Sequence, residues 1–277
     1  MQSKSLLNYI VNYALFAACC AIAMVYQSYN FFKIPLNIYL VAFVFFATIC
    51  SYNFHFFLAK SNSFLLQVTL RSLLLNTHIQ CILLATIVMC ITFSLSKLPI
   101  QAIVFSFVLT IIYSLPLLPF AIVVVLKKAG FLKTILLAFT WAYVTVYLPA
   151  ATSNIENKIL VFWFVQRFVF ILILCIIFDN RDIVTDKIKG LHSLATDMPK
   201  NIINILVVVL LVASLVLHYK SIYFGASIRQ AYSLQCMATL VLVVYVLSLK
   251  KRGYFFYYCI VDGLMIVSAI VSTLASI

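Results

Sequence analysis

Acidic residues are scarce in this chain. Only six of its 277 residues are Asp or Glu, and none of them occurs before Glu156. Charged residues make up 9% of the chain, whereas hydrophobic residues make up 66%, and the mean hydropathy is +1.17. A soluble domain needs a charged surface that this composition does not supply. The chain is therefore predicted to be an integral membrane protein, all-α and made almost wholly of membrane helices.

Two further patterns are lacking. The apolar runs do not alternate with polar residues, which excludes a membrane β-barrel. The eight cysteines form no Cys-x-x-Cys motif and no Cys/His pairs, so we interpret them as small core residues and not as disulfides or zinc ligands. The net charge of +13 does not indicate nucleic-acid binding, because the basic residues lie in short loops between apolar runs.

Continuous apolar runs are what the chain does have. They predict nine transmembrane helices in a single domain of residues 1–277, bounded by Lys, Pro and Gly residues. The predicted spans are approximately 9–26, 37–59, 78–95, 100–126, 131–149, 158–178, 201–218, 228–249 and 254–276.

The distribution of Lys and Arg predicts the orientation. With the N-terminus in the cytoplasm, thirteen basic residues fall in inner loops and five in outer loops, as the positive-inside rule requires. This orientation puts two long loops, 60–77 and 179–200, on the cytoplasmic side. The membrane is predicted to be a bacterial inner membrane, and the oligomeric state stays open.

Three of the six acidic residues lie close together in the second of these loops. Asp179, Asp182 and Asp186 follow the sixth apolar run, and on a helix their spacing would place them within roughly 60° of one another. Three carboxylates repel one another unless a cation joins them, so Mg2+ or neighbouring Lys and Arg side chains are expected there. Asp179, Asp182 and Asp186 are the candidate metal ligands.

This organisation resembles the UbiA superfamily of intramembrane prenyltransferases. Its members have nine helices and two aspartate-rich motifs, one after helix two and one after helix six. The second motif reads roughly Asp-x-x-Asp-x-x-x-Asp, then a basic residue, Gly and a small hydroxyl residue. This chain matches it with the three aspartates followed by Lys187, Lys189, Gly190 and Ser193.

The first motif departs from the family pattern. Asn53 stands where the leading Asn is expected, whereas Phe54, Phe57 and Ser61 occupy the positions of its aspartates. Cations could take over part of the role of the missing carboxylates, because Lys and Arg bind phosphate directly. The candidate diphosphate-binding residues are Lys60, Arg71, Lys127, Lys128, Arg181 and Lys187. The same basic residues could instead only set the topology.

The resemblance implies an activity. Mg2+ bound to the aspartates would hold the diphosphate of a polyprenyl donor, and an acceptor that the sequence does not identify would receive the prenyl group. Asp182, Asp186 and Asn53 would be the catalytic residues. The alternative is a UbiA-like protein that binds or organises lipids without catalysis. Arg167 and Asp262 lie within predicted spans at similar depths, so they are expected to pair, to hold helices together or to contact substrate.

Overall fold

The computed structural model describes residues 14–60, 77–114, 130–188 and 192–276, and their regular structure is entirely helical. The eleven α-helices of these segments are α1 Leu15–Phe32, α2 Ile38–Lys60, α3 Thr77–Ser96, α4 Ile100–Ser114, α5 Gly130–Ala142, α6 Leu148–Ala150, α7 Asn157–Ile188, α8 Leu194–Asp197, α9 Lys200–Lys220, α10 Ile228–Ser248 and α11 Gly263–Leu274. A π-helix, Tyr143–Tyr147, joins α5 to α6, and a second one, Phe256–Val261, precedes α11.

Most of these helices are membrane spans by length and composition. Seven helical segments of the described residues are long and apolar enough to cross a membrane, and two shorter apolar helices, Ile82–Ser96 and Ile100–Ile112, accompany them. Large apolar side chains such as Phe107, Val209 and Val212 are exposed on the outside of the bundle. A soluble protein would hide such a surface, whereas a membrane protein presents it to lipid. The chain is an integral membrane protein.

The helices follow one another around a ring, in which the short connection 97–99 joins α3 to α4 and the other neighbours pack on each other. The helix α1 packs on α2, α2 on α3, α4 on α5, α5 on α7, α7 on α9, α9 on α10 and α10 on α11, and α11 returns to pack on α1. Because α11 closes the ring on α1, the first and last thirds of the sequence depend on each other for burial.

The longest continuous buried stretch of the described residues lies in α7. Its residues 169–177 are all buried, which means that helices cover it on every side. A helix buried all round has to be apolar all round, and the run Val169–Ile177 contains only apolar residues and one Cys. The first candidate metal ligand, Asp179, follows this run after one residue.

Polar contacts close the ring between α1 and α11. The Gln27 amide donates to the carbonyl oxygen and the hydroxyl of Ser268 at 3.0 and 3.1 Å, and to the Ser272 hydroxyl at 2.8 Å. The Ser28 hydroxyl donates to the Thr145 carbonyl at 2.6 Å. Such contacts between membrane helices replace the hydrogen bonds that lipid cannot offer. They also explain why α1 ends at Phe32 and not near residue 26 as predicted, because its polar residues face other helices.

Candidate active site

The aspartates lie on a helix and not in a loop. The prediction that α7 ends near residue 178 was wrong, since the helix continues to Ile188. Hydropathy marks where a helix leaves the bilayer and not where it ends, and no Gly or Pro interrupts the chain between residues 178 and 189. Asp179 lies 22 residues after Asn157, or about 33 Å along the axis, which is just past a hydrocarbon core of about 30 Å.

Asp179 is tied to the neighbouring helix α5. The Thr134 hydroxyl, which is almost fully buried, donates to the Asp179 carboxylate at 2.5 Å. Lys133 and Asp186 are the charged groups that interact electrostatically with the Asp179 carboxylate. The carboxylate therefore has a hydroxyl donor, a nearby cation and a second carboxylate two helical turns away.

Asp182 has a different partner. The Arg181 guanidinium donates to it through two hydrogen bonds, from Nε to Oδ1 and from one terminal nitrogen to Oδ2, both at 2.7 Å. This bidentate geometry engages both oxygens of Asp182, and it is among the strongest arrangements that a carboxylate and a cation form in proteins. The sequence predicted Arg181 to bind a diphosphate, whereas in the structure its guanidinium binds the neighbouring aspartate.

Aromatic rings surround the same guanidinium. Its central carbon lies 4.9 Å from the ring centre of Phe178, 5.2 Å from that of Tyr257 and 4.8 Å from that of Tyr258. Two of these rings belong to the π-helix that precedes α11. We refer to Phe178, Tyr257 and Tyr258 as the aromatic cage of Arg181. Each ring face adds cation–π attraction and fixes the guanidinium.

Asp186 and Lys187 occupy the last turn of α7. Asp186 is buried, and its carboxylate acts on that of Asp179, which lies on nearly the same face of the helix. Lys187 is exposed, where its charge offsets the negative end of the helix dipole. In the part of the chain that the structure describes, no three His, Cys, Asp or Glu side chains converge closely enough to hold a metal ion. The three aspartates are therefore divided between two environments.

The predicted pairing of Arg167 with Asp262 was wrong. Arg167 is buried on α7 and donates to the Met24 sulfur and, at 3.3 Å, to the Ser28 hydroxyl. The cation that acts on Asp262 is Arg181. Equal depth in the membrane does not make two side chains face each other, and Asp262, which directly precedes α11, interacts electrostatically with Arg181 in the last third of α7.

The remaining predicted site residues lie on α2 or outside the described residues. Asn53 is buried on α2, and its amide donates to the Ile49 carbonyl at 2.9 Å. Its joint role with Asp182 stays a prediction. Lys60 ends α2, but its side chain is not among those described. Arg71, Lys127 and Lys128 lie outside the described residues.

Sequence reasoning missed several residues of the site. Thr134 carries no motif, and Lys133 was only counted among the basic residues of the inner loops. Tyr257 and Tyr258 belong to no motif either, although their rings face Arg181. The sequence offered only an indirect signal for these contacts. Arg181 lies among the carboxylates, and a pair of tyrosines lies near the C-terminus, each beside the end of a predicted span.

Comparison with solved structures assigns the fold. The chain is similar to the apo structure of a UbiA homolog from Aeropyrum pernix K1, with a TM-score of 0.66, 12% identity and coverage of 94% of this chain and 97% of that one. It is also similar to a digeranylgeranylglyceryl phosphate synthase in membranes, with a TM-score of 0.58, 15% identity and coverage of 100% and 99%. No protein-family profile and no curated protein sequence matches it. The chain is a helical membrane protein, and it shares its fold with these two structures.

Proposed function

We propose that this protein is a membrane prenyltransferase of the UbiA type, which moves a prenyl group from a polyprenyl diphosphate to an acceptor. One observation supports this proposal above the others. The likeness to UbiA structures extends over nearly the whole length of both chains, and the aspartates of α7 lie where that helix passes the end of the hydrocarbon core. Carboxylates at that depth reach both water and the lipid headgroups.

The side chains at the end of α7 fit a magnesium ion. Mg2+ prefers hard oxygen ligands and is usually bound by one or two carboxylates together with substrate phosphates. Asp179 and Asp186 supply two carboxylates on nearly the same face of the helix, and a cation bound near them would relieve the repulsion between their charges. Magnesium, when bound there, would neutralise the charge of the diphosphate. Two carboxylates do not fill the coordination shell of Mg2+, so the oxygens of the bound diphosphate would supply further ligands.

Cations of the chain would bind the remaining diphosphate charge. Lys133 interacts electrostatically with Asp179, and we assign it a phosphate contact. Lys60, Arg71, Lys127, Lys128 and Lys187 are the further candidates, and Asn53 would donate to a phosphate oxygen. In a chain with no acidic residue before Glu156, such basic residues would replace the carboxylates of the first motif.

The reaction is a substitution at an allylic carbon. The bond between the first prenyl carbon and the diphosphate oxygen breaks, and its electron pair leaves with the diphosphate. The acceptor forms the new bond through a nucleophilic atom and gives up a proton to the medium. The apolar helices would bind the prenyl tail and keep water from the electron-poor carbon. We place the site on the cytoplasmic face of a bacterial inner membrane.

Binding of prenyl diphosphates by the purified full-length protein tests the proposal. Geranyl, farnesyl and geranylgeranyl diphosphate would each be titrated with and without Mg2+, and the matching alcohols would serve as controls that lack the charged group. We expect binding that needs both the diphosphate and Mg2+, and that Asp186→Asn weakens by about tenfold or more.

Two results would contradict this function. Binding that ignores Mg2+ and Asp186→Asn, with alcohols bound as tightly as diphosphates, would favour the non-catalytic lipid-binding alternative. The absence of binding for all three diphosphates would remove the prenyltransferase assignment. If the protein binds prenyl diphosphates as expected, prenyl transfer would be measured as release of inorganic pyrophosphate in the presence of candidate acceptors of different chemistry.

A further inference from the structure

The three aspartates of α7 do not have equivalent surroundings. Asp179 receives a hydroxyl hydrogen bond from α5 and lies near Lys133 and Asp186. Asp182 is held by Arg181 through both of its oxygens. A metal ion at Asp182 would have to displace a guanidinium or approach it closely, and two cations on one carboxylate repel each other.

The guanidinium itself is held firmly. Three aromatic rings lie 4.8–5.2 Å from its centre, and the side chain of Arg181 is only 23% exposed. A planar guanidinium both stacks on rings and donates bidentately, which an ammonium group cannot do. Moving the Arg181 guanidinium onto a diphosphate would break two charged hydrogen bonds and expose three ring faces. These losses favour the guanidinium position seen beside Asp182.

The cage joins two distant parts of the chain. Phe178 belongs to α7, whereas Tyr257 and Tyr258 are successive residues of the π-helix that leads into α11. Asp262 follows this π-helix, and Arg181 is the cation that acts on its carboxylate. Short π-helices inside longer helices are rare and frequent at functional sites, because the widened turn redirects side chains. Here the widened turn accompanies two adjacent tyrosines that face one guanidinium.

We propose that Arg181 and Asp182 form a positioning pair, in which Asp182 holds the caged guanidinium and does not bind the metal ion. The pair fixes the cytoplasmic end of α7 against the start of α11, and it thereby sets the orientation of Asp179 and Asp186 towards the diphosphate. This inference rests on the proposed function. It differs from what the motif implies, since the motif assigns all three aspartates to metal.

A double-mutant cycle read through ligand binding tests the pair. The proteins compared are the wild type, Asp182→Asn, Arg181→Gln and the double variant, with the prenyl diphosphate that the wild type binds most tightly. Two quantities are measured: the diphosphate affinity at saturating Mg2+, and the Mg2+ concentration that gives half of the binding. Asp186→Asn serves as the reference for loss of a metal ligand.

We expect each single variant to weaken diphosphate affinity by about tenfold, and the double variant to be no weaker than either single one, because the two residues act as a unit. The Mg2+ midpoint should stay within about twofold of the wild type in all three, whereas Asp186→Asn raises it. Arg181→Lys should not restore affinity, since Lys lacks the fork and the stacking plane.

Two further variants keep the test decisive. Tyr258→Leu removes one ring and leaves the ion pair intact, so it should weaken affinity in the same direction by less. Arg252→Gln is a matched control, because Arg252 lies over one ring, that of Phe256 at 5.8 Å, and donates to a backbone carbonyl. It should leave the diphosphate affinity unchanged.

Three outcomes would overturn the inference while leaving the proposed function in place. A raised Mg2+ midpoint in Asp182→Asn would make Asp182 a metal ligand. Additive effects of the two substitutions would show that the residues act independently. Loss of thermal stability with unchanged diphosphate affinity would reduce the pair to a structural role. A wild-type protein that binds no prenyl diphosphate would remove both proposals.

Discussion

At the scale of single residues, the contact that matters most for the candidate site is that between Thr134 and Asp179. The two residues are 45 positions apart and lie on different helices, and their 2.5 Å hydrogen bond joins α5 to α7. A half-buried carboxylate near the edge of the bilayer depends on such donors, since lipid offers none. Thr134 therefore contributes to stability and orients a predicted metal ligand.

We expect Thr134→Val to lower the free energy of unfolding by about 1.5–3 kcal/mol, the usual range for a hydrogen bond to a charged group. Valine has nearly the shape of threonine, so the change isolates the hydroxyl. Thermal or SDS-induced unfolding of the solubilised protein measures the effect. Thr134→Ser keeps the donor and should stay close to wild type, and equal losses in both variants would assign the effect to packing.

Sequence reasoning at this scale succeeded only where residues are close along the chain. The grouping of Asp179, Asp182 and Asp186 was visible because their spacing is local. The partners Thr134 and Tyr257 were not, because contacts between helices depend on how each helix is rotated about its axis. Hydropathy does not encode that rotation in a membrane, where apolar residues face lipid and core alike.

At the scale of helices, α1 and α7 each contain a buried polar side chain, and we expect one of them to stabilise the fold and the other to destabilise it. Gln27 makes three hydrogen bonds to Ser268 and Ser272 and so joins α1 to α11. Arg167 contacts only the Met24 sulfur and the Ser28 hydroxyl, and no carboxylate of the described residues forms an ion pair with it. It lies about 15 Å from the start of α7, near mid-membrane.

We expect Arg167→Met to raise the free energy of unfolding by about 1–3 kcal/mol, because it removes a buried cation that lacks a counter-ion. Gln27→Leu should lower it by about 1–2 kcal/mol, because it removes contacts that join α1 to α11. Both are measured by the same unfolding assay. If Arg167→Met destabilises the protein as much as Gln27→Leu does, the contacts of Arg167 with Met24 and Ser28 outweigh the cost of burying its charge.

Helix boundaries illustrate what hydropathy can and cannot give. The predicted spans 37–59, 78–95 and 228–249 nearly coincide with α2, α3 and α10, since Pro, Lys or Gly residues flank them closely. The predicted ends of α1 and α7 were wrong, because polar residues there continue the helix and face neighbouring helices. A polar residue ends an apolar run but does not by itself end a helix.

At the scale of the whole molecule, the fold was predictable because bilayer thickness imposes segment lengths. The seven long apolar helices and two shorter ones found among the described residues correspond to the nine predicted spans. The closure of the ring by α11 on α1 was not predictable, since it depends on contacts such as that of Gln27 with Ser272. The candidate site joins α5, α7 and the π-helix before α11.

The orientation of the whole molecule is a prediction that the two ends of α7 can test. This helix of 32 residues is about 47 Å long, so its ends lie on opposite sides of the bilayer. Lys158 has a side chain that is 85% exposed near one end, and Lys187 is exposed near the other. The excess of basic residues in the loops on the Lys187 side predicts that this end lies in the cytoplasm.

We expect a membrane-impermeant maleimide to label Lys158→Cys in intact spheroplasts, and to label Lys187→Cys only after the membrane is permeabilised. The wild-type chain shows how much label its own eight cysteines take up, and labelling is measured as an increase in mass. The reverse pattern would place Asp179 and Asp186 on the outer face, where cytoplasmic prenyl diphosphates do not reach them. Labelling of both variants from outside would mean that α7 does not span the membrane, in conflict with its length and its apolar run.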